Sequence, residues 1–184
     1  MIPIASTVTI RQMNEEDELF PIVAKTLFLE CEVKNDSLRR LLFGEKTRHA
    51  SPRLWVIIAE GEAVGHVITF DFFQATYVTT LNINKEMRCK GYGSLLLEHI
   101  CNDPNRTYVL LSEVARSDKE DFSDCLRRNI FYMRNGFRTV PIKWRTEEHY
   151  KYDVHVKGPS LELGSLLAAL RKGAQLWLTA DLDL

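Results

Sequence analysis

The stretch NKEMRCKGYGSLLLEHI, residues 84–100, sets two cations and two glycines directly before an apolar helical pattern. These four residues are Arg88, Lys90, Gly91 and Gly93. A helix N-terminus carries unpaired backbone N–H groups and a partial positive charge, and glycines in the preceding turn let a phosphate approach the backbone closely. The N–H groups from Cys89 to Ser94, that of Tyr92 among them, could therefore surround a pyrophosphate. A tight strand-to-helix turn without a ligand is the alternative interpretation.

Hydrophobic periodicity predicts a chain that mixes hairpins with helical crossovers. The predicted strands cover residues 7–13, the two arms of a hairpin within 53–73, and residues 76–83, 107–114, 137–143, 150–157 and 174–180. The predicted helices cover residues 14–33, 35–49, 92–102, 119–137 and 158–173. Asn14 can cap the first helix, and Pro21 would either kink it or mark its true start. This order predicts an α/β fold with a mixed, mostly antiparallel sheet of six to seven strands, flanked by helices on both faces.

Composition and motifs exclude several classes of protein. A chain of 184 residues, 45% hydrophobic and 27% charged, is typical of one globular domain. The net charge of −1 argues against general nucleic-acid binding, and no apolar run approaches the length of a membrane helix. The N-terminus lacks a signal-peptide pattern and the cysteines lack metal-ligand spacing, which predicts a cytoplasmic protein with reduced thiols and no metal site. The Arg-x-x-Gly-x-Gly pattern matches neither a Rossmann fingerprint nor a P-loop.

The glycine turn is part of a longer pattern. Arg-x-x-Gly-x-Gly follows a predicted strand that ends in LNIN, and the stretch FYMRNGF follows at residues 131–137. This combination resembles the GCN5-related N-acetyltransferase (GNAT) superfamily, in which R/Q-x-x-G-x-G/A binds the pyrophosphate of coenzyme A. The resemblance implies the acyl-CoA N-acyltransferase fold in a single domain over residues 1–184, with a core at about 7–157 and a C-terminal helix and strand extension at 158–184.

The resemblance also implies a reaction and a path for the co-substrate. Acetyl-CoA would be the co-substrate, and a bulge in the fourth strand would part it from the fifth and admit the pantetheine arm. Backbone N–H groups near Leu81, Asn82 and Ile83 would then stabilise the thioester oxygen as it becomes an oxyanion.

Two side chains would move protons in such a reaction. Glu113, at the end of the strand LLSEV, is the candidate base, since relatives that acetylate N-terminal alanines carry a similar LEVR. A pairing of Glu113 with Arg116 or another cation is the alternative, and Glu86 and Asp71 are weaker candidates for the base. Tyr132 is the candidate acid, because its position in FYMRNGF is the one whose hydroxyl meets the CoA sulfur in many relatives. A tyrosine packed at a helix–sheet contact is the alternative.

One position departs from the superfamily pattern. Relatives often carry an Asn seven residues before this Tyr, where it holds the pantetheine amide, and Cys125 stands there in this chain. A thiol cannot replace an amide well, because it is a weak donor and a weak acceptor. Asn129 or Ser117 would serve instead, or the contact is missing.

The residues that would bind the amine acceptor form a less specific pattern. Residues 15–49 and the stretch WRTEEHY, residues 144–150, occupy the places that shape the acceptor groove in the superfamily. An acidic, aromatic mouth around Glu147 and Glu148 would suit a cationic amine, and a solvated charged loop is the alternative. A small-molecule amine and a peptide amine both remain open, with no nucleic-acid or membrane partner expected. The apolar tail would complete the domain or pair with a second subunit, so a monomer and a homodimer are both open.

The leading functional prediction is an acetyl-CoA-dependent N-acetyltransferase that moves an acetyl group to a primary amine by direct attack. The alternative is a non-catalytic acyl-CoA-binding or regulatory module on the same fold. That module would use Arg88 and Gly91 but would need neither Glu113 nor Tyr132. A third hypothesis is a protein-interaction domain without a cofactor.

Overall fold

Seven strands form one sheet in the computed structural model of the chain, which describes residues 7–31, 39–40, 42–43, 51–72, 74–145 and 151–171. The strands are β1 Val8–Gln12, β2 Ser51–Ala59, β3 Glu62–Asp71, β4 Ala75–Ile83, β5 Thr107–Glu113, β6 Arg138–Arg145 and β7 Lys151–Lys157. Their order in the sheet is β1-β2-β3-β4-β5-β7-β6. Strands β4 and β5 pair in parallel, and the other neighbours pair antiparallel. The predicted mixed, mostly antiparallel sheet is therefore confirmed.

Helices pack on both faces of this sheet. They are α1 Phe20–Cys31, α2 Tyr92–Ile100, α3 Phe122–Arg134 and α4, residues 163–171, and residues 39–40 and 42–43 are also helical. On one face, Leu27 of α1 and Leu170 of α4 join a core cluster with Phe70 of β3. On the other face, Leu96 of α2 packs in a second cluster with Val67 of β3. None of the helices described here is long and apolar enough to cross a membrane.

The first helix begins later than the sequence predicts. Residues 15–16 and 18–19 form turns, and α1 starts at Phe20 with Pro21 in its first turn. A proline is accepted there because the first N–H groups of a helix have no intrahelical partner. The Asp17 carboxylate accepts a hydrogen bond from the backbone N–H of Leu19 at 3.0 Å and stabilises the turn that leads into the helix. Pro21 therefore marks the true start of the helix, and Asn14 does not cap it.

The buried faces of two helices are rotated slightly about the helix axis from the faces that the sequence predicts. For α2 the sequence predicts an apolar side of Tyr92, Leu95, Leu96 and Ile100, but Leu97 is fully buried and Leu95 is only half-buried. In α4, Ala169 is buried and Leu163 is 58% exposed, although Leu163 is predicted to lie in the stripe. Spacings of three and four both keep a residue on one helix face, so a leucine-rich sequence leaves the rotation open.

The sequence predicts a hairpin turn at Glu60, Gly61 and Glu62 and a helix stop at Asn135–Gly136, and both are present. Strands β2 and β3 are joined by Glu60 and Gly61. Helix α3 ends at Arg134 with Asn135 as its C-cap, and Gly136 follows in a left-handed conformation with φ 84°. Most of the predicted helix at 35–49, the loop containing Glu147 and Glu148, and the last strand at 174–180 lie outside the described residues.

Candidate active site

Strands β4 and β5 run side by side only over their first halves. Their parallel pairing ends at Val78 and Leu110, whereas β4 continues to Ile83 and β5 continues to Glu113. The sheet therefore opens into a gap between the C-terminal ends of these two strands. This is the parting that the superfamily resemblance implies.

A bulge in β4 accounts for the gap. The register between β3 and β4 shifts between His66 and Ile68, because Thr80 and Leu81 together face one residue of β3. Thr80 has a φ of 44°, which is uncommon for a β-branched residue. A bulge bends the strand that carries it and increases its twist. The end of β4 is thereby turned away from β5.

Arg88 folds back onto the end of β4. Its Nε donates a hydrogen bond to the carbonyl oxygen of Ile83 at 2.9 Å, and its Nη2 lies 3.5 Å from Oδ1 of Asn82. A short 3₁₀ helix, Lys85–Met87, separates these residues in sequence. The guanidinium therefore fixes the turn after β4 against the strand and leaves a cationic group beside the gap.

The backbone from Cys89 to Gly91 makes the turn that leads into α2. Cys89 and Gly91 have φ values of 62° and 89°, and Gly91 is the N-cap of the helix. No described side chain caps α2, so its first N–H groups remain available. Residues 88–91 are exposed, and a Cβ added at Gly91 would meet no described atom within 4 Å. The turn thus presents open N–H groups at the protein surface.

Gly93 has a packing role that the sequence does not predict. A Cβ at this position would lie 3.1 Å from Cζ of Phe131 and 3.6 Å from Cγ1 of Ile83. The first contact is closer than a side chain can normally make without displacing its neighbour. Gly93 therefore allows the start of α2 to pack against α3.

Tyr132 lies on α3 among other rings. The centroid of its ring is 5.4 Å from that of Phe131, 6.2 Å from that of Phe137 and 5.7 Å from that of His155. Burial raises the pKa of Tyr132, and the charge of Arg128 opposes this shift. The phenol is therefore protonated at neutral pH and can donate a proton.

Glu113 forms an ion pair with Arg128 of α3. Its Oε2 lies 2.9 Å from Nη2 of Arg128, and the two side chains are 37% and 48% exposed. Arg116, the partner considered from sequence, instead pairs with Asp118 at 2.8 Å. Glu113 is therefore paired with a cation, and that cation is Arg128.

Asn129 lies one turn before Tyr132 on α3. Its Oδ1 accepts a hydrogen bond from Oγ of Ser112 at 2.6 Å, and Ser112 belongs to the part of β5 beyond the pairing with β4. A spacing of three residues places Asn129 and Tyr132 on the same side of the helix. Ser117, the other predicted substitute for the missing amide, is exposed in the loop between β5 and α3.

Comparison with known proteins agrees with this geometry. The family model for the acetyltransferase (GNAT) domain matches residues 50–139. The chain has a GNAT-like fold. A search of curated proteins found no match to the sequence.

Solved structures with the same fold are named as acetyltransferases. A protein from Bacteroides thetaiotaomicron assigned to the GNAT acetyltransferase family is 21% identical, with a TM-score of 0.67 over 90% of this chain and 94% of that one. An aminoglycoside 6'-N-acetyltransferase solved with coenzyme A is 12% identical, with a TM-score of 0.60 over 84% and 99%. The ribosomal-protein-S18-alanine N-acetyltransferase from Escherichia coli is 13% identical, with a TM-score of 0.57 over 85% and 98%. At these identities the likeness shows the fold.

Two buried polar atoms in the β4 bulge of the GNAT-like domain lack a hydrogen-bond partner among the described residues. They are Oγ1 of Thr80 and Nδ2 of Asn82, and Asn82 is only 8% exposed. A buried donor without a partner costs roughly 1–3 kcal/mol. Both atoms therefore favour a ligand that brings hydrogen-bonding groups to the bulge.

The weaker candidates for a base lie elsewhere on the GNAT-like domain. Glu86 is exposed in the 3₁₀ helix after β4. Asp71 pairs with Arg53 at 2.6 Å and with Arg106 at 3.2 Å, and Thr76 at the start of β4 donates to its carboxylate. The Asp71 carboxylate is thus held at the opposite end of β4 from the bulge.

A cluster beside Glu113 contains atoms of the metal-ligand type. The carboxylates of Glu113 and Asp121 and the thiol of Cys125 place such atoms within 4.8 Å of one another. The guanidinium of Arg128 lies 3.4 Å from the Cys125 sulfur as well as 2.9 Å from Glu113, so it supplies positive charge to this cluster. Burial raises the pKa of Cys125, which keeps the thiol protonated. We assign the cluster to an ion pair with a neighbouring thiol.

The sequence did not reveal three residues of this site. They are Ser112, Arg128 and His155. Arg128 precedes Tyr132 by four residues, and this spacing on a helix could have indicated it. Ser112 and His155 gave no such signal, because their contact joins residues 43 positions apart.

Proposed function

We propose that this GNAT-like domain is an acetyl-CoA-dependent N-acetyltransferase, which moves the acetyl group of acetyl-CoA to a primary amine by direct attack. The observation that carries the proposal is the gap between the ends of β4 and β5, beside the turn that precedes α2. An extended thioester arm needs such a gap, because it must reach strand backbone while its phosphates stay at the surface.

The turn from Arg88 to Ser94 suits the pyrophosphate of the co-substrate. Its N–H groups lie at the N-terminus of α2, where the helix dipole favours negative charge. The surface in front of Gly91 is open, and Lys90 is exposed next to it. In this proposal Cys89, Tyr92 and Gly93 contribute backbone N–H groups, and the Arg88 guanidinium contributes charge from its fixed place against β4.

The gap itself suits the pantetheine arm and the thioester. The segment from Leu81 to Ile83 lies where β4 no longer pairs with β5, and a backbone N–H of this segment is the proposed donor to the oxyanion. The unpartnered atoms of Thr80 and Asn82 support a ligand that brings hydrogen-bonding groups into this region. Asn129 approaches from α3 and is the proposed contact to an amide of the arm.

Tyr132 is the proposed acid that protonates the departing thiolate of CoA. Its raised pKa favours the protonated phenol, which is the form required of an acid. Its ring packs against Phe131 and Phe137, and this packing restricts where the hydroxyl can lie.

Glu113 is the proposed base that takes a proton from the amine. Its carboxylate stands at the end of β5, next to the gap, while Asp71 is held far from the bulge. The ion pair with Arg128 offsets part of its negative charge. This pair is the observation that favours the second candidate function, a non-catalytic acyl-CoA-binding module in which Glu113 only joins β5 to α3.

The proposed acceptor is a small-molecule amine or a peptide amine. Two neighbours of this fold are named for an aminoglycoside and for the alanine of a ribosomal protein, which supports both classes equally. Attack on the thioester by the amine forms the amide and releases the CoA thiolate, so one acceptor proton passes to the base and one proton passes to the thiolate.

Calorimetric titration with CoA, followed by thiol release from acetyl-CoA with a panel of amines, tests the proposal. The panel contains alkyl polyamines, an aminoglycoside, and peptides with a free N-terminus or a lysine. We expect binding of CoA and thiol release with at least one acceptor. Binding without product across the whole panel would favour the non-catalytic module, and a lack of binding would overturn both functions.

A further inference from the structure

A chain of polar side chains runs from β6 through β7 and β5 to α3. Oγ1 of Thr139 lies 3.2 Å from Nδ1 of His155, and Nε2 of His155 lies 2.7 Å from Oγ of Ser112. Oγ of Ser112 lies 2.6 Å from Oδ1 of Asn129. His155 is 1% exposed and Ser112 is 5% exposed, so the middle of the chain is sealed from solvent.

The strand register places these groups on one face of the sheet. Thr139 and His155 are direct partners across β6 and β7, and Leu110 is the partner of His155 on β5. Ser112 stands two residues after Leu110, so its side chain lies diagonally from that of His155 on the same face. The contact therefore results from the pairing of β5 with β7 and of β7 with β6, which also holds the end of β5 that does not pair with β4.

The hydrogen bonds among these four side chains can be assigned one consistent direction. The Ser112 hydroxyl has one proton, which it donates to Oδ1 of Asn129, so Nε2 of His155 must donate to Oγ of Ser112. Burial lowers the pKa of His155, with Asp153 opposing this shift and Lys143 adding to it. A neutral imidazole then leaves Nδ1 as an acceptor for the Thr139 hydroxyl.

The direction of these hydrogen bonds decides which groups of the Asn129 amide remain to bind a ligand. With its Oδ1 held by Ser112, the amide has its two Nδ2 hydrogens left as donors. Asn129 contacts Ser112 in the part of β5 that does not pair with β4, and it lies on the side of α3 that also carries Tyr132. A pair of N–H donors fixed in orientation is complementary to a carbonyl oxygen, and amide carbonyls are the acceptors along a pantetheine arm.

We propose that His155 and Ser112 are positioning residues that orient the Asn129 amide, so that its N–H₂ group donates to an amide carbonyl of the pantetheine arm of CoA. This inference rests on the proposed function, because it needs CoA in the gap. It assigns a role to a buried Ser–His pair that takes no part in the proton transfers proposed above. The hydroxyl and the imidazole never touch the ligand and act only through Asn129.

Two ligands separate this role from a general structural one. Calorimetry measures CoA and 3'-phospho-ADP, the part of CoA that lacks the pantetheine arm. Ser112→Ala should weaken CoA binding about fivefold to tenfold, the loss expected for one hydrogen bond, and leave 3'-phospho-ADP binding unchanged. His155→Phe keeps a ring against Tyr132 and should have the same effect as Ser112→Ala. His155→Gln restores a donor to Ser112 and should recover most of the CoA affinity.

Two further variants test the action through Asn129. Asn129→Asp keeps an oxygen acceptor for Ser112 but removes the N–H₂ donors, so it should lose at least as much CoA affinity as Ser112→Ala while the fold is retained. In an Asn129→Ala background, Ser112→Ala should cause no additional loss. These variants keep the test available even if His155→Phe does not fold.

Three results would overturn the inference. They are equal CoA affinity in the parent and Ser112→Ala, an equal loss of CoA and 3'-phospho-ADP affinity, and an effect of Ser112→Ala that persists without Asn129. A parent protein that binds no CoA would overturn the proposed function together with this inference. That outcome is distinct from the other three, because they all require CoA to bind the parent.

Discussion

The Nη2 atom of Arg128 lies 2.9 Å from the carboxylate of Glu113, and this ion pair joins α3 to the end of β5 beside the gap. Both side chains are partly exposed, at 48% and 37%. An ion pair of this exposure contributes only about 0–1 kcal/mol to folding. Substitution of either residue should therefore change chemistry or binding without unfolding the domain, which makes the pair a suitable place to test the base.

Glu113→Gln should lower turnover by about 10²-fold, the lower end of what a general base contributes. The loss should be largest at low pH, because without a base the reaction depends on the small fraction of amine that is already deprotonated. Thiol release from acetyl-CoA, measured from pH 6 to pH 9, gives the profile. Arg128→Gln is the matched control, since it breaks the same ion pair but retains the carboxylate. Identical pH profiles for the parent and Glu113→Gln would remove Glu113 as the base.

Tyr132→Phe should lower turnover by about 10²-fold and leave CoA affinity within about twofold of the parent. The substitution removes the proton that the thiolate needs, while the ring can still pack against Phe131, Phe137 and His155. Steady-state thiol release and calorimetry with CoA measure the two effects separately. Phe137→Leu is a packing control, which changes a neighbour of the ring without removing the hydroxyl. Weakened CoA binding with normal turnover would contradict the role of an acid.

Gly91→Val should abolish most CoA binding, with a loss of about tenfold to a hundredfold for hydrogen bonds to a charged group. The side chain would project into the open space in front of the turn, where the pyrophosphate is proposed to lie. The matched control is Gly61→Val in the β2–β3 turn. Gly61 has a φ of 83° against 89° for Gly91, and neither glycine has a described atom near an added Cβ.

Both valine variants should therefore lose similar stability, about 1–2 kcal/mol for a left-handed conformation, and only Gly91→Val should lose CoA. Urea denaturation and calorimetry give the two quantities. Unchanged CoA affinity in a folded Gly91→Val protein would remove the turn as the pyrophosphate site.

His66 should make the domain less stable as the pH falls from 7 to 5. Burial lowers the pKa of His66 to about 4, whereas an unfolded histidine titrates near 6.5. Between these values the unfolded state binds more protons than the native state, so the free energy of unfolding falls as pH falls, by up to about 1.4 kcal/mol per pH unit. The contribution is fully present above pH 6.5 and is lost as the pH decreases towards 4.

Urea denaturation of the parent and of His66→Leu at pH 7 and pH 5 measures the contribution of His66 to the free energy of unfolding. The free energy of unfolding should change between pH 7 and pH 5 by about 2 kcal/mol less in the variant than in the parent. Asp17, whose pKa is lowered by its hydrogen bond with Arg11, loses its contribution only at more acidic pH and does not enter this window. The same pH difference in both proteins would show that His66 is not the group responsible.

Local patterns were enough to determine much of this protein. Alternation and short apolar runs located the seven described strands, and the Asn135–Gly136 stop located the end of α3, because these signals act between residues close in sequence. The turn before α2 was also predictable, since a glycine with positive φ at a helix N-terminus has a local cause. The bulge in β4 came only from the family resemblance, because the same residues could also form a regular strand.

Other features were decided by the tertiary structure alone. Position 93 needs a glycine because Phe131 of α3 packs over it. Glu113 forms an ion pair because α3 brings Arg128 to the end of β5. The contact of Ser112 with His155 depends on β7 lying between β5 and β6 in the sheet. Periodicity shows which face of a strand or helix is buried, but it carries no information on which distant residue lies opposite. Strand order and helix placement supply that pairing, and they arise from packing the whole chain around its two cores.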